Sequence, residues 1–323
     1  MSLLRYLLRR GLFAIALVVV VASSALLLTL AAPGDVAFEE GPISETALAQ
    51  RRAELGLDRP VAAQYLEWIT RAVRFDFGES ILYGRPVSRL LGERAVNTVV
   101  LASVALVIAT VLGIPMGMYS GTRRRGALVA VIRTVSVFLL SLPPLLASLA
   151  LVVFAARTGW FPLGGMVSAA SADAPTSVWL WDLARHIPLP ALALALPLAA
   201  MLERLQSQAI SETMREPFVQ AARARGLSSD RALFKHGWRA SLGAVLGLYG
   251  VMIGSLFSGS FAVEFVTAWP GLGRLMVDAI RARDLYLVAG CGAAGAFFLA
   301  MGTFLSDLLL AAADPRTRLG VRA

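Results

Sequence analysis

Residues 211–241 read SETMREPFVQAARARGLSSDRALFKHGWRAS, an arginine-studded stretch set between two long apolar runs. Pro217 disfavours helical geometry at Glu216 but suits the first position of a new helix. The run "PFVQAARAR" that follows ends at Gly226, a residue suited to the left-handed conformation that commonly closes helices. Ser228 or Ser229 can cap a further helix, with Asp230 favourably placed in its first turn. That helix, "RALFKHGWRAS", leads into the next apolar run. The spacing therefore predicts a short helix bracketed by a proline and a glycine. Phe218, Ala221 and Ala222 form a slim apolar face on it, while Arg223 and Arg225 project charge. A slim face fits a groove, and two arginines can pair with acidic groups lining that groove. A helix resting on lipid headgroups is the other physical reading.

Working outward, the chain has 323 residues, 57% of them hydrophobic and only 16% charged, with a mean hydropathy of +0.70. A soluble domain carries about 25% charged residues. The apolar residues come in blocks long enough to cross a bilayer as helices, which takes about 20 residues at 1.5 Å rise. Six such runs are expected: 12–30, 98–118, 129–155, 187–202, 242–263 and 285–313. The fourth is short and holds Pro188, Pro190 and Pro197. The first follows Arg5, Arg9 and Arg10, yet it is longer than a secretory-signal core and lacks a small-residue cleavage site, so a retained helix is expected. The chain reads as an all-α membrane protein.

Charge predicts its orientation. With the N-terminus in the cytoplasm, segments 1–11, 119–128, 203–241 and 314–323 lie inside and hold 16 basic and 5 acidic residues. Segments 31–97, 156–186 and 264–284 lie outside and hold 13 basic and 15 acidic residues. This is the positive-inside pattern. The isoelectric point of about 10.7 then reports topology, and nucleic-acid binding is not needed to explain it. Both termini and the 211–241 stretch are expected in the cytoplasm.

The outside segments carry aromatic anchors. In "PVAAQYLEWITRAVRFDFG" (60–78), Tyr65, Trp68, Ile69 and Val73 share a helical face suited either to the bilayer interface or to packing on neighbouring loops. Trp160, Trp179 and Trp181 fit interfacial anchoring in 156–186. Glycines at 243 and 247 and at 250 and 254 make small-xxx-small pairs that let helices approach closely in lipid.

Signatures of catalysis are missing from the sequence. It contains no G-x-x-x-x-G-K-[ST] phosphate loop, and its one lysine, Lys235, follows Phe234. His186 and His236 stand apart, and no Cys/His spacing suits a metal. Cys291 is the only cysteine, so no intrachain disulfide can form. Asp307 is a carboxylate inside an apolar run near the predicted cytoplasmic end, read as a structural contact over a substrate site. No cofactor, metal or catalytic residue is expected.

The stretch "QAARARG" (220–226) resembles the EAA-type loop of permease subunits from bacterial ABC importers, with Gln220 where a glutamate often stands. The wider run from Glu216 to Leu242 resembles the peptide/nickel branch of those permeases. So does "AWPGLGRLMVDAIRARDLYLV" (268–288). "LRYLLRR" (4–10), "APGD" (32–35), "LGLDRP" (55–60) and "YGRPV" (83–87) fit its N-terminal half, so the similarity covers nearly the whole chain. One departure is Gly243, where the branch usually has a proline.

The resemblance implies a type I ABC importer permease fold with six transmembrane helices. The domains would be an N-terminal helix (1–31), an extracytoplasmic segment with an interfacial helix (32–97), a five-helix core (98–313) containing the coupling loop (203–241), and a cytoplasmic tail (314–323). It implies a heterodimer with a second, homologous permease, two cytoplasmic ABC ATPases and an extracytoplasmic solute-binding protein, all at the inner membrane. Glu216, Phe218, Gln220, Ala221, Ala222, Arg223, Arg225 and Gly226 would form the ATPase-coupling element. Cargo would be di- or oligopeptides, with nickel complexes, glutathione or other small peptides as alternatives. A membrane-embedded enzyme would need polar residues clustered at membrane depth. A secondary transporter would be expected to show an inverted repeat, and none is evident.

Overall fold

The computed structural model describes residues 3–31, 59–123, 125–171 and 173–313. The expected features at 32–35, 55–58 and 314–323, and the side chain of Asp307, lie outside the described residues. The chain is predominantly helical and divides into two compact units, and the described residues include a short antiparallel hairpin. Among the described residues five helices are long and apolar enough to cross a membrane, or six if one sharply bent pair counts as a single span.

One unit comprises the described parts of Ser2–Thr98 together with Pro270–Ala300. It holds α1 (Leu3–Ala31), α2 (Val61–Ala72), β1 (Glu79–Ser80), β2 (Arg85–Pro86) and the start of α3 (Val87–Thr122). Trp68 of α2 is buried with Ala22 and Leu26, and Tyr65 and Ile69 pack onto the same cluster. The hydroxyls of Tyr65 and Ser23 hydrogen-bond at 2.9 Å. The aromatic face of α2 thus packs on protein, except that Val73 points out at 76% exposure.

The second half of this unit is locked by one buried carboxylate. Asp284 caps a helix that begins at Leu285, its Oδ1 accepting the Leu287 N–H at 3.1 Å. Its Oδ2 accepts the Ser80 hydroxyl at 2.6 Å and the Leu82 N–H at 3.0 Å, tying the hairpin to that helix. The Asn97 amide donates to the Pro270 carbonyl at 2.8 Å, and the Thr98 hydroxyl oxygen accepts the Leu272 N–H at 2.9 Å.

The other unit comprises Val99–Trp269 and the described chain from Met301. After α3 come α4 (Ala127–Leu140), α5 (Pro144–Thr158), α6 (Thr176–His186), α7 (Pro188–Thr213), α8 (Pro217–Ala224), α9 (Ser229–Ala232), a π turn (Leu233–Gly237) and α10 (Trp238–Val266). The chain continues through α11 (Leu272–Arg281) and α12 (Leu285–Ala313).

Two expected boundaries change. The run 129–155 is not one straight helix: α4 and α5 meet at 108°. Pro143 is extended (φ −60°, ψ 143°) and Pro144 opens the new helix, because proline offers no N–H to continue the old one. The fourth run is longer than 187–202. α7 starts on Pro188, accommodates Pro197 and continues to Thr213 with Met214 as its C-cap, so the helix outlasts its apolar run and ends where the Pro217 break places its end.

α7 packs centrally against α4, α5 and α10. Its seat on α3 is a glycine row at 113, 117 and 121. A Cβ at Gly113 would lie 2.5 Å from the Ala199 carbonyl oxygen, and one at Gly117 would lie 2.6 Å from the Glu203 oxygen. At Gly121 it would collide with Ser207 and Ile210. Backbones approach this closely only where side chains are absent. In contrast, a Cβ at Gly243 would meet nothing within 4 Å.

Candidate functional site

The predicted short helix is α8, and its ends follow from local chemistry. Glu216 holds an extended conformation (φ −62°, ψ 144°) ahead of Pro217, as the residue before a proline should. Its carbonyl accepts the Val219 N–H at 3.0 Å and the Gln220 N–H at 3.1 Å. At the other end Gly226 takes φ +92°, and its N–H donates to the Arg223 carbonyl at 2.9 Å. The Leu227 N–H reaches the Ala222 carbonyl at 3.2 Å, completing a Schellman closure. Ser228 then caps α9, its hydroxyl oxygen accepting the Arg231 N–H at 3.4 Å.

The faces of α8 are distributed differently from the expected slim stripe. Val219 and Ala222 are its two buried residues, and the helix packs on α9. Ala221 is exposed, and Phe218 is 48% exposed, edge-on to the ring of His236 at a centroid distance of 6.4 Å. Gln220, Arg223 and Arg225 are also exposed. Neither arginine pairs with an acid among the described residues. The outward surface therefore offers Phe218, Ala221 and two guanidinium groups, while Ala222 is spent on internal packing.

Two contacts fix α8 to the end of α7. The Gln220 side-chain amide donates to the Met214 carbonyl at 2.7 Å, an orphan acceptor of the helix terminus. Gly237, in the π turn, lets that segment lie against α7: a Cβ there would sit 3.1 Å from the Met214 sulfur and 3.2 Å from Ile210 Cδ1. The element is a corner pinned to the end of a long helix.

Further up α7, sequence reasoning missed a buried polar set because it ended the apolar span at residue 202 and assigned 203 onward to the cytoplasmic segment. Glu203 and Gln206 are buried; Ser120 donates its hydroxyl to Glu203 Oε1, and Gln206 donates its amide to the Ser241 hydroxyl at 3.0 Å. The signal available beforehand was the G-x-x-x-G-x-x-x-G row at 113–121, which lets a partner helix approach closely along that stretch. Among the described residues no group of His, Cys, Asp or Glu could hold a metal ion.

Beyond the bundle, Asp182 of α6 organises the 163–171 loop. It accepts the Ser168 N–H and, at 3.1 Å, the Ser168 hydroxyl. The Ser168 backbone bond chiefly holds this carboxyl below the usual aspartate range, with the Ser168 hydroxyl, His186 and Ser171 adding to it against a desolvation penalty. The His186 Nδ1–H donates to the Asp182 carbonyl at 2.8 Å. Trp160 and Trp181 are strongly exposed, and Trp179 packs partly on the core.

Residues 113–319 match the family model for the binding-protein-dependent transport system inner membrane component, and residues 3–109 match the model for the N-terminal part of such components. The oligopeptide transport system permease protein AppB of Bacillus subtilis is 33% identical over 96% of this chain and 98% of its own length. The oligopeptide transport system permease protein OppB of Mycobacterium bovis is 34% identical over 88% of this chain and 90% of its own.

Proposed function

The chain belongs to the family of binding-protein-dependent transport system inner membrane components, and from that premise we propose that it forms half of a peptide translocation path. It is a multi-pass inner-membrane permease of the ABC importer class, working with a separate ATPase subunit and a solute-binding protein. Di- or oligopeptides are the proposed cargo, since the relatives named above are oligopeptide permeases.

On this reading the α4–α5 pair counts as one span, giving six, with both termini in the cytoplasm. Residues 98–313 are the permease core, 32–97 the extracytoplasmic segment with its helix, and 314–323 the cytoplasmic tail. A second, homologous permease completes the path, and each of two ATPases takes one permease's coupling element. Here that element is Glu216, Phe218, Gln220, Ala221, Ala222, Arg223, Arg225 and Gly226.

The observation that carries the reading is α8 itself. It is closed at both ends, held to α7 through Gln220, and presents an aromatic ring and two guanidinium groups outward. A partner gripping that surface moves a 26-residue helix with it. ATP-driven closure of the ATPases would then rock α7 and its neighbours between inward- and outward-open states.

Two measurements test this. Tagged chain expressed with its partner subunits should co-purify with ATPase activity, and purified alone should hydrolyse no ATP. A cysteine at Arg225 should react with impermeant reagent only from the cytoplasm, and one at Ser177 only from outside. ATP hydrolysis by the isolated chain, or reversed labelling, would sink the proposal.

A further inference from the structure

A cavity of about 800 Å³ lies between α4 and the last turns of α7, lined by Arg133, Arg204 and Gln208 and by apolar side chains such as Val137, Leu140 and Leu205. Ligand cavities commonly fall in this range, with mainly apolar walls and a few placed polar groups. Arg133 is the one charged residue of α4, and it reaches the last turn of α3, its Nη2 donating to the Ser120 carbonyl at 3.2 Å. Arg204 is exposed, and neither arginine forms an ion pair among the described residues. Glu203, the chain neighbour of Arg204, is 1% exposed and engaged by the Ser120 hydroxyl. The two arginines stand at one level. Gly117 and Gly121 of α3 lie against Glu203 and Ser207 of α7, which sets Arg204 beside Ser120 along the helix axes. Tyr119, covered by the Arg123 guanidinium at 4.3 Å from its ring, marks that level as the boundary between hydrocarbon and headgroups.

We propose that this cavity holds an anionic phospholipid of the cytoplasmic leaflet, its phosphate between Arg133 and Arg204 and an acyl chain along Val137, Leu140 and Leu205. Basic pockets between membrane helices on the cytoplasmic side suit anionic headgroups. A guanidinium fork matches two phosphate oxygens, and Arg133 spends one of its five N–H groups on Ser120. Val137 and Leu140 remain exposed, so the apolar wall is open to a chain. The Gln208 amide donates to Glu212 at 3.0 Å, which leaves the Gln208 carbonyl oxygen to accept from a headgroup hydroxyl. That favours a glycerol headgroup over a choline, whose cation two arginines repel. The choice of leaflet rests on the orientation proposed above.

The test uses the full chain with its partner subunits, in neutral detergent, carrying Ser211→Cys as a reporter on the cavity wall. Cys291 is the only native cysteine and is buried, so background labelling is low. Dioctanoyl phosphatidylglycerol at about twice its dissociation constant should slow alkylation about threefold, following 1 + [L]/Kd. Dioctanoyl phosphatidylcholine, with the same chains and no net charge, should need about tenfold more lipid for equal protection. Inorganic phosphate, which has no chains, and L-alanyl-L-alanine should not protect. Replacing both arginines (Arg133→Gln with Arg204→Gln) should erase the preference for phosphatidylglycerol, while Arg133→Lys with Arg204→Lys should keep most of it. Equal protection by the two lipids, protection by phosphate alone or by the dipeptide, or no protection by phosphatidylglycerol overturns the proposal, and none of these needs a substituted arginine. A preference that survives loss of both arginines overturns their role. In right-side-out vesicles the Ser211→Cys thiol should be closed to an impermeant reagent. Labelling there would overturn the leaflet and the orientation together, whereas failure of the lipid arms leaves the permease reading intact.

Discussion

The side-chain amide of Gln220 donates to the main-chain carbonyl of Met214 across the Pro217 break, at 2.7 Å. This bond spans the one point where α7 and α8 have no continuous helical hydrogen bonding. A glutamate here, if ionised, could only accept and would face the carbonyl oxygen as a like partner. Gln220→Glu should therefore loosen the corner by about 0.5–1.5 kcal/mol, the net value of one hydrogen bond. Hydrogen exchange at residues 217–226 should rise in the variant.

Ala221 and Ala222 are adjacent but face opposite ways, and tryptophan should separate their roles. Ala222→Trp overpacks a site that is 7% exposed and should destabilise the corner by about 1–3 kcal/mol. Ala221→Trp meets solvent, so thermal stability should be unchanged while ATPase co-purification falls. Equal stability in the two variants, measured by thermal unfolding in detergent, would contradict the burial seen here.

At Gly226 space is free and only the backbone objects, since a Cβ would meet nothing within 4 Å while φ is +92°. Gly226→Ala should cost about 1–2 kcal/mol through left-handed strain, and Gly226→Val more because of β-branching. Both should reach the membrane but lose ATPase co-purification in that order.

Gly113, Gly117 and Gly121 of α3 should matter for packing, and Gly243 should not. Gly117→Ala drives a methyl to 2.6 Å from the Glu203 carbonyl oxygen and should destabilise by about 1–3 kcal/mol. Gly243→Ala enters open space in a helix and should be neutral or stabilising by about 1 kcal/mol. Thermal midpoints of the two purified variants, compared with the parent, decide it.

Asp182 sets an acid limit on the 163–171 loop. Its carboxyl is held below its unfolded value, so its stabilising contribution is complete above that value, about 3.9. The contribution falls as pH drops through the lower, folded value. Proteolysis of the loop by an acid-active protease should therefore be insensitive to pH from 5 to 8 and rise below about 4, the reference aspartate value. Asp182→Asn should remove that dependence.

Much of this molecule was determined by order along the chain. Apolar blocks announced the spans, because bilayer thickness sets a length that composition alone can meet. Pro217 and Gly226 bracketed α8, because each acts on its own backbone angles and needs no distant partner. What only the tertiary structure decided was direction and proximity. Whether Ala221 or Ala222 faces inward depends on how α8 rotates onto α9, and slim alanines carry no marker of side. The bend between α4 and α5 was marked by Pro143 and Pro144, but its 108° angle is visible only in the tertiary structure. Glu203 fell outside the expected apolar span because it is charged. It is buried in α7 because glycines at 113, 117 and 121 bring the α3 backbone against it, and Ser120 supplies a hydrogen bond that a remote sequence position could not reveal.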